Sequence, residues 1–219
     1  MKILLVAATA GEVQELQEEL NQTARNVEVL VTGIGVTATA YSLTRKLSKN
    51  RYDLVMNIGL AGSFRDEIQT GEVVNVVSET FGDLGAEDDR KFISAFELGL
   101  MKEDEFPFWN GKLKSEYATY FPSLHKLKKV KGVTVNTVHG NENTIFRTMQ
   151  KYQPDVESME GAAVFYVCQM EKIPFLQLRA ISNRVEKRNR NAWNIPLPLE
   201  NLRRVVLLLL NELEYTEHG

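Results

Sequence analysis

Polar residues with possible chemistry follow apolar stretches at several points of the chain. Glu12 comes just after the apolar run 3–8, where a carboxylate could act as a general base. Carboxylates also favour helix N-termini through the helix dipole, so its position has a purely structural explanation too. The segment 157–163, ESMEGAA, places two carboxylates and a methionine before small residues. Those small residues would let the backbone approach a ligand or a neighbouring strand closely.

A second polar group ends the apolar stretch that begins near residue 175. Arg179 lies within that stretch and needs an acidic partner, because burying an unpaired charge is costly. Asn183 can both donate and accept hydrogen bonds, which suits the edge of a heterocyclic base. On local grounds Asn183 could equally be a turn former. These residues therefore indicate a site for an organic ligand.

The segment 33–38, GIGVTA, matches the loose form of the dinucleotide-binding fingerprint. That fingerprint requires an acidic residue about 20 positions further on, at the end of the next strand, to bind the ribose. Asp53 has nearly the right separation but precedes its strand, and the glycines follow the second strand rather than the first. The pattern therefore favours a tight glycine turn lining another ligand, and we expect no cofactor.

Metal and thiol chemistry are not expected. Cys168 is the only cysteine, and the three histidines are scattered, so a metal site is improbable. Cys168 has apolar neighbours and is more typical of a core than of a nucleophile. A single cysteine excludes an intrachain disulfide and favours a reducing compartment. His139 could touch a ligand or could equally be a satisfied loop histidine.

Composition limits the partners. The chain has 219 residues with 26 Lys plus Arg and 29 Asp plus Glu, a net charge of −3, so nucleic acid is not expected as a partner. The apolar run 205–210 is far too short to cross a bilayer. Residues 1–10 imitate a signal peptide. A peptide cleaved after Ala10 would, however, be shorter than the usual signal peptide of about 15 to 30 residues. We expect a cytoplasmic protein without a membrane partner.

Apolar runs alternate with helically spaced apolar residues. The pattern predicts strands at 3–8, 27–31, 54–58, 73–77, 132–138, 156–158 and 175–181, and helices near 12–20, 37–48, 142–152, 161–171 and 199–213. Residues 79–130 show no clean periodicity and stay unassigned. Such alternation implies an α/β three-layer sandwich with a largely parallel, twisted sheet flanked by helices. We expect one domain over 1–219, with its ligand beyond the carboxyl ends of the strands.

Taken in order, these segments resemble the nucleoside phosphorylase and nucleosidase superfamily over nearly the whole chain. Its methylthioadenosine/S-adenosylhomocysteine nucleosidase branch shares an acidic residue after the first strand, an S/T-G-I-G turn, an N-x-G-x-A-G turn, an M-E pair and an R-A-I-S-D segment. The corresponding residues here are Glu12, 32–35, 57–62, Met159-Glu160 and 179–183. The resemblance implies a homodimer and a mixed rather than purely parallel sheet.

This chain has Asn183 where that branch carries Asp. The Asn-bearing version, with NTVHG at 136–140 and with VEKR at 185–188 and Trp193 downstream, resembles the futalosine hydrolase branch. That branch removes hypoxanthine from futalosine on a menaquinone pathway. Hypoxanthine presents two acceptors, N7 and O6, and an amide NH2 can donate to such a pair where an ionised Asp would be repelled. Asn183 cannot give up a proton, so the proton for N7 would come from water or another group.

The resemblance assigns roles to the candidate residues. Glu160 would bind the ribose hydroxyls and stabilise an oxocarbenium-like sugar, Glu12 would deprotonate the attacking water, and Asn183 would read the purine. Met159 would form an apolar wall against the sugar. Arg179 and Ser182 would orient Asn183. The other expected substrate contacts are Ala61, Gly62, Val138 and Ser158.

Two questions stay open at this point. The cations Arg184, Lys187, Arg188 and Arg190, with Trp193, could hold the aryl carboxylate of futalosine or could simply be solvated. Leu60 offers phosphate no hydroxyl and Glu12 would repel it, so hydrolysis is preferred over phosphorolysis. The alternatives are a methylthioadenosine-type nucleosidase, a purine nucleoside phosphorylase and a non-catalytic nucleoside-binding protein.

Overall fold

The computed structural model describes residues 1–22, 26–89, 91–115, 121–187 and 195–216. Its strands are β1 (Ile3–Ala7), β2 (Val27–Val31), β3 (Leu54–Ser63), β4 (Val73–Phe81), β5 (Gly85–Asp88), β6 (Lys91–Ser94), β7 (Leu113–Lys114), β8 (Lys129–Thr134), β9 (Val156–Ser158) and β10 (Phe175–Arg184). Its α-helices are α1 (Ala10–Gln22), α2 (Val36–Leu47), α3 (Glu142–Tyr152), α4 (Gly161–Met170) and α5 (Pro196–Thr216).

One mixed sheet of eight strands organises these elements. β1 pairs in parallel with β2 and β3, and β3 pairs in parallel with β10. β10 is antiparallel to β4, which is parallel to β8; β8 is parallel to β9, and β9 is antiparallel to β3. The strands β3, β10, β4, β8 and β9 therefore form a closed ring, from which β1 and β2 extend. The predicted mixed, mostly parallel sheet is confirmed.

Helices cover both faces of the sheet, as expected for strands that are apolar throughout. Alternate residues of β1, β3 and β10 pack against α1 and α5 on one face, and the intervening residues pack against α2 and α4 on the other. Along β10, for example, Leu176 and Leu178 face α5 whereas Phe175 faces α4. The predicted three-layer sandwich is confirmed.

Most predicted elements are present within one to three residues of their expected ends, and α3 and β9 match their predicted bounds. Four strand boundaries were wrong, and one of them is the end of β4, which lies at Phe81 rather than at 77. The segment expected as a turn at 57–62 continues β3, because its backbone pairs with β10 and β9. β10 likewise continues through Ser182 and Asn183, with a register shift between Ile181 and Asn183. β8 ends at Thr134 rather than at 138.

The unassigned stretch 79–130 contains the end of β4, the antiparallel β5–β6 hairpin, the short strand β7 and a 3-10 helix at Pro122–Lys126. Each of these pieces is short, and the hairpin forms a separate two-stranded sheet. Short elements of this kind give no sustained periodicity, which explains why the sequence pattern failed here.

Candidate active site

Glu12 lies in the first turn of α1, directly after β1. One carboxylate oxygen accepts hydrogen bonds from the Thr9 amide (3.0 Å) and the Thr9 hydroxyl (3.2 Å). The other accepts from the Leu60 amide on β3, at 3.1 Å. The helix start and the neighbouring strand thus fix the carboxylate in one orientation while leaving it half-buried. A carboxylate held in this way can accept a proton from a positioned water.

Glu160 occupies the N-cap position of α4, but its side chain does not cap that helix. Its carboxylate instead accepts a hydrogen bond of 3.0 Å from the Gly35 amide, at the start of α2. Gly33 and Gly35 both have positive φ, 89° and 87°, a conformation that favours glycine. The glycine turn of the sequence therefore lines the site by holding Glu160 at the N-terminus of α2.

Arg179 is 2% exposed, and its Nε and Nη2 atoms have no hydrogen-bond partner among the described residues. It lies opposite Gly59 in the β3–β10 pairing. A Cβ at Gly59 would be 2.5 Å from Arg179 Nη1 and 2.8 Å from Glu12 Oε1. Gly59 thus leaves the space in which the guanidinium of Arg179 approaches Glu12. Buried donors without partners are costly, so these N–H groups are suited to a bound ligand.

The charges of the site act on one another. Burial raises the pKa of Glu160, and the nearby Glu12 carboxylate raises it further. The positive charge of Arg179 and the hydrogen bond from Gly35 act in the opposite direction. The structure therefore brings Glu12, Glu160 and Arg179 close enough for their charges to act on one another. The resulting centre is rich in negative charge, which favours a ligand that develops positive charge.

Asn183 lies on β10 beside the end of β3, and its Nδ2 atom would be 3.3 Å from a Cβ at Gly62. Its Nδ2 donates to the Arg184 carbonyl at 2.7 Å, and its Oδ1 accepts from the Ser182 hydroxyl at 2.7 Å. The same hydroxyl also lies 3.4 Å from the Ala61 carbonyl. The Ser182 hydroxyl thus holds the Asn183 amide, whereas no contact between Arg179 and Asn183 is present in the described part of the chain.

The remaining predicted contacts flank these two groups. Ser158 is buried at the end of β9, where its hydroxyl lies 3.3 Å from the Gly161 amide, and Met159 follows it half-buried. Val138 is 39% exposed in the segment after β8. No contact of Val138 with the other predicted residues is seen in the described residues. Its role, like the roles of the other predicted site residues, stays a prediction.

Of two further groups near the site, Glu79 was not predicted and His139 had two interpretations. Glu79 on β4 is 1% exposed and accepts hydrogen bonds from Gln177 and Thr134. His139 contacts the Glu157 carboxylate through Nδ1, and its Nε2 lies 2.8 Å from the Thr148 hydroxyl. His139 is thus satisfied by protein groups, which was one of its two interpretations. Glu79 fell in the stretch without periodicity, and no sequence signal distinguished it from a surface carboxylate.

The other singled-out residues have structural roles or are not described. Cys168 is fully buried, and burial raises the pKa of its thiol, as expected for a core residue. Arg184 pairs with Asp66. Arg188, Arg190 and Trp193 lie outside the described residues. Within the described ranges, no cluster of three His, Cys, Asp or Glu side chains could hold a metal ion, and no helix has the length and apolar character to span a membrane.

Comparison with known proteins assigns the family. The model of the phosphorylase superfamily matches residues 19–211. A futalosine hydrolase of Acidothermus cellulolyticus is 28% identical over 92% of this chain and 87% of its own. A 5′-methylthioadenosine/S-adenosylhomocysteine nucleosidase of Glaesserella parasuis is 24% identical over 96% of this chain and 99% of its own. The chain therefore belongs to the phosphorylase superfamily.

A solved structure supports the same fold. The 5′-methylthioadenosine/S-adenosylhomocysteine nucleosidase of Colwellia psychrerythraea, determined in complex with adenine, superposes with a TM-score of 0.77. The two chains are 21% identical, and the match covers 97% of this chain and 96% of the other. The relatives represent the two branches that the sequence motifs resembled, so the predicted superfamily is confirmed.

Proposed function

We propose that this protein is a nucleosidase that hydrolyses the N-ribosidic bond of futalosine and releases hypoxanthine, a step of menaquinone biosynthesis. The predicted enzyme class agrees with the names of its relatives, which are hydrolases and nucleosidases. The observation that carries the proposal is the grouping of Glu12 and Glu160 around the buried Arg179, whose Nε and Nη2 lack partners among the residues described.

Cleavage of an N-ribosidic bond builds positive charge on the sugar while negative charge moves into the purine. Glu160, held by the Gly35 amide, binds the ribose hydroxyls and stabilises the developing cation. Glu12 accepts the proton of the attacking water, and its three hydrogen bonds keep it in place. The guanidinium of Arg179, whose Nη1 atom approaches Glu12 beside Gly59, orients that water.

Water rather than phosphate is the proposed nucleophile. A phosphate site needs converging cations and hydroxyl or amide donors around an anion. Here Leu60 directs its amide to Glu12, and its side chain has no hydroxyl. Two carboxylates around one guanidinium would repel a phosphate dianion. Hydrolysis therefore fits this charge distribution better than phosphorolysis.

Asn183 supports the choice of base. Its amide is exposed enough to meet a ligand and is oriented by Ser182. In the resting protein its NH2 group donates to the Arg184 carbonyl, so the purine must compete for or share this donor. We assign the O6 and N7 edge of a 6-oxopurine to this amide, with a water as the proton source for N7.

A methylthioadenosine-type nucleosidase is the second candidate. It is favoured by the relative of that name whose full length this chain matches. Its purine carries a 6-amino donor, so Asn183 Oδ1, which already accepts from the Ser182 hydroxyl, would have to accept from the ligand as well. The substituent beyond the ribose also differs, since futalosine carries a carboxylate there. Lys187 and Arg184 line a cavity of about 670 Å³ with Phe64 and Phe146, and they are the described candidates for that carboxylate.

We further propose a cytoplasmic homodimer in which residues 1–219 form one domain. Large apolar side chains are exposed on α2, on α4 and in the segment after β6. This apolar face comprises Tyr41, Leu100, Phe106, Trp109 and Tyr166. Phe108 contacts Tyr166, with ring centroids 6.0 Å apart, so the segment and α4 form one surface. A second copy of the chain would cover it.

The test is a product assay with futalosine, aminofutalosine, methylthioadenosine and inosine, each with and without phosphate. We expect hypoxanthine and a free sugar hydroxyl from futalosine, at a rate that phosphate does not change. Formation of ribose 1-phosphate would contradict the hydrolytic mechanism. Preferential release of adenine from methylthioadenosine would favour the second candidate, and binding without turnover would favour a nucleoside-binding protein.

A further inference from the structure

A fully buried carboxylate outside the proposed mechanism lies beneath the site. Glu79, on β4, is surrounded by β8, β10 and the start of α4. One oxygen accepts a hydrogen bond of 2.6 Å from Gln177 Nε2, and the other accepts one of 2.9 Å from the Thr134 hydroxyl. Gly132 and Gly161 leave the space for this carboxylate, since a Cβ at either position would collide with it.

The hydrogen bonds of Glu79 continue into the elements that carry the site. Thr134 accepts the Ala162 amide at 2.7 Å, in the first turn of α4 and two residues after Glu160. Gln177 accepts from Asn57 Nδ2 at 2.6 Å, which ties β10 to β3 two residues before Arg179. The two oxygens of Glu79 are thus linked to the backbone on either side of the catalytic grouping.

The charge of Glu79 also acts on Arg179, which faces it from β10. The other charged groups of the neighbouring elements are Glu160 at the start of α4 and, beyond it, Glu12 on α1. β8 presents only the uncharged Thr134 and Gly132 toward Glu79, and β3 presents Asn57 to the same network. The charge of Arg179 therefore acts on Glu79 as well as on Glu160, and its guanidinium approaches Glu12 beside Gly59.

We propose that Glu79 is a positioning residue of the nucleosidase reaction, which holds the start of α4 under Glu160 and offsets the charge of Arg179. The inference rests on the proposed function. An uncompensated guanidinium would oppose the positive charge that forms on the sugar in the transition state. Ionised Glu79 removes that opposition without touching the substrate.

The protonation of this group gives a measurable signature. Burial raises the pKa of Glu79 to about 7, while hydrogen bonds from Gln177 and Thr134 and the charge of Arg179 limit the rise. As the pH falls through this value, Glu79 binds a proton and the charge of Arg179 is no longer offset. The turnover of the parent enzyme should therefore decline on the acid side near pH 7.

The main experiment compares Glu79→Gln with the parent in kcat and KM from pH 5 to 9. We expect kcat at pH 8 to fall about 10- to 100-fold, as for loss of a hydrogen-bonded charge, with a smaller change in KM. The acid limb should move to lower pH, because a glutamine at this position does not bind the proton that Glu79 takes up near pH 7. Glu18→Gln, which changes an exposed carboxylate on α1, is the control and should keep the parent profile. An unchanged kcat at pH 8, or an unmoved acid limb, would overturn the proposal.

A second pair of variants tests the same group should Glu79→Gln fail to fold. Thr134→Val keeps the shape of the side chain but removes the hydroxyl that donates to Glu79, so the pKa of Glu79 should rise. We expect the acid limb of kcat to move to higher pH in Thr134→Val and to stay in place in Thr134→Ser. Equal profiles for the two variants would contradict the role of Glu79.

Stability separates this inference from the proposed function. Glu79 binds its proton more tightly in the folded chain (about 7) than at its ordinary value of 4.5. The free energy of unfolding that this proton binding contributes is therefore fully present below pH 4.5 and is lost as the pH rises through 7. The melting temperature of Glu79→Gln relative to the parent should rise between pH 5 and 8. A difference in melting temperature that does not change with pH would show that Glu79 does not ionise in the folded protein near pH 7. A parent without activity on any nucleoside would instead contradict the proposed function.

Discussion

Glu12 has its two oxygens fixed by Thr9 and Leu60, and Glu12→Gln retains an acceptor for only one of these two groups. Glu12→Gln keeps the shape of the side chain but cannot accept a proton from water. We expect kcat to fall roughly 10²- to 10⁴-fold, as for loss of a general base, with KM little changed. Steady-state kinetics with futalosine at pH 7.5 measure both quantities.

The control for this variant is Glu18→Gln, which changes an exposed carboxylate on the same helix. It should behave as the parent. Turnover of the Glu12 variant at the parent rate would show that water is activated elsewhere, for example by Glu160. Glu160→Gln should in contrast affect both KM and kcat, because the ribose is held before and during cleavage.

The base preference should depend on Asn183. The amide serves two acceptors, whereas an ionised Asp would confront the O6 of a 6-oxopurine. A mispaired buried polar group costs about 1–3 kcal/mol, which corresponds to about 5- to 150-fold in the specificity constant. Asn183→Asp should shift the ratio of futalosine to aminofutalosine cleavage toward the 6-amino substrate by that order.

Both specificity constants should be measured at neutral pH for the parent and the variant. Ser182→Ala provides a comparison, since it removes the hydroxyl that orients the amide but leaves the donor. It should lower both rates without reversing the ratio. A ratio unaffected by Asn183→Asp would place the reading of the purine on another group, such as the segment 136–140.

At the scale of elements, β3 carries the backbone that makes room for the catalytic side chains. Gly59→Ala would place a methyl group 2.5 Å from Arg179 Nη1 and 2.8 Å from Glu12 Oε1. One of these side chains must then move, because the strand is paired on both sides. We expect a loss of kcat of at least tenfold, the effect of displacing a catalytic group by a fraction of an ångström.

The control is Gly11→Ala in α1, where an added Cβ meets nothing within 4 Å. Alanine is preferred to glycine in a helix by about 0.5–1 kcal/mol, so this variant should be slightly more stable and should retain activity. Chemical denaturation measures the stability, and the product assay measures the activity. Equal activity of Gly59→Ala and Gly11→Ala would show that the space at Gly59 is not required.

The extent of prediction from sequence also differs among the elements. The buried parallel strands and the helices were predicted because their apolar patterns are regular. β3 and β10 were predicted to end too early because glycines and polar residues are typical of turns, yet here they belong to strands that line the site. Glycines and polar residues after an apolar run can belong either to a turn or to a continuing strand. Only the pairing partners of their backbone distinguish the two.

The candidate site was predicted in part for the same reason. Glu12, Glu160 and Arg179 stood at element ends or in apolar runs, where a charge is conspicuous. Their mutual arrangement depends on two glycines that are distant from them in sequence. The Gly35 amide donates a hydrogen bond to Glu160, and the absence of a side chain at Gly59 leaves space for Arg179 and Glu12. Glu79 acquires its significance only from burial under α4, and burial of a single carboxylate has no local sequence signal.

For the whole molecule, the proposed homodimer requires the apolar face on α2 and α4 to be covered. Tyr41 is 65% exposed on α2, so its replacement should not disturb the core. Tyr41→Asp would place a charge in the contact, and burying an unpaired charge is costly. We expect the parent to sediment as a dimer and this variant to shift toward the monomer at micromolar concentration.

The matched variant is Asn21→Asp, which adds the same charge to an exposed residue of α1, on the opposite face of the sheet from α2. It should remain a dimer. A monomeric parent at all concentrations would remove the basis for the dimer. A dimeric Tyr41→Asp protein with unchanged affinity would place the interface on another surface.

The closed ring of strands has a consequence for the order in which the protein is made. β10 is the last strand to be synthesised, and it closes the ring by pairing with both β3 and β4. It also carries Arg179 and Asn183. A nascent chain that has not reached about residue 184 therefore holds both carboxylates but lacks the guanidinium and the amide. Contacts so distant in sequence form late, and until then the edges of β3 and β4 lie open to other chains. Nucleoside binding should accordingly begin only when translation is nearly complete, and truncated products should aggregate rather than bind.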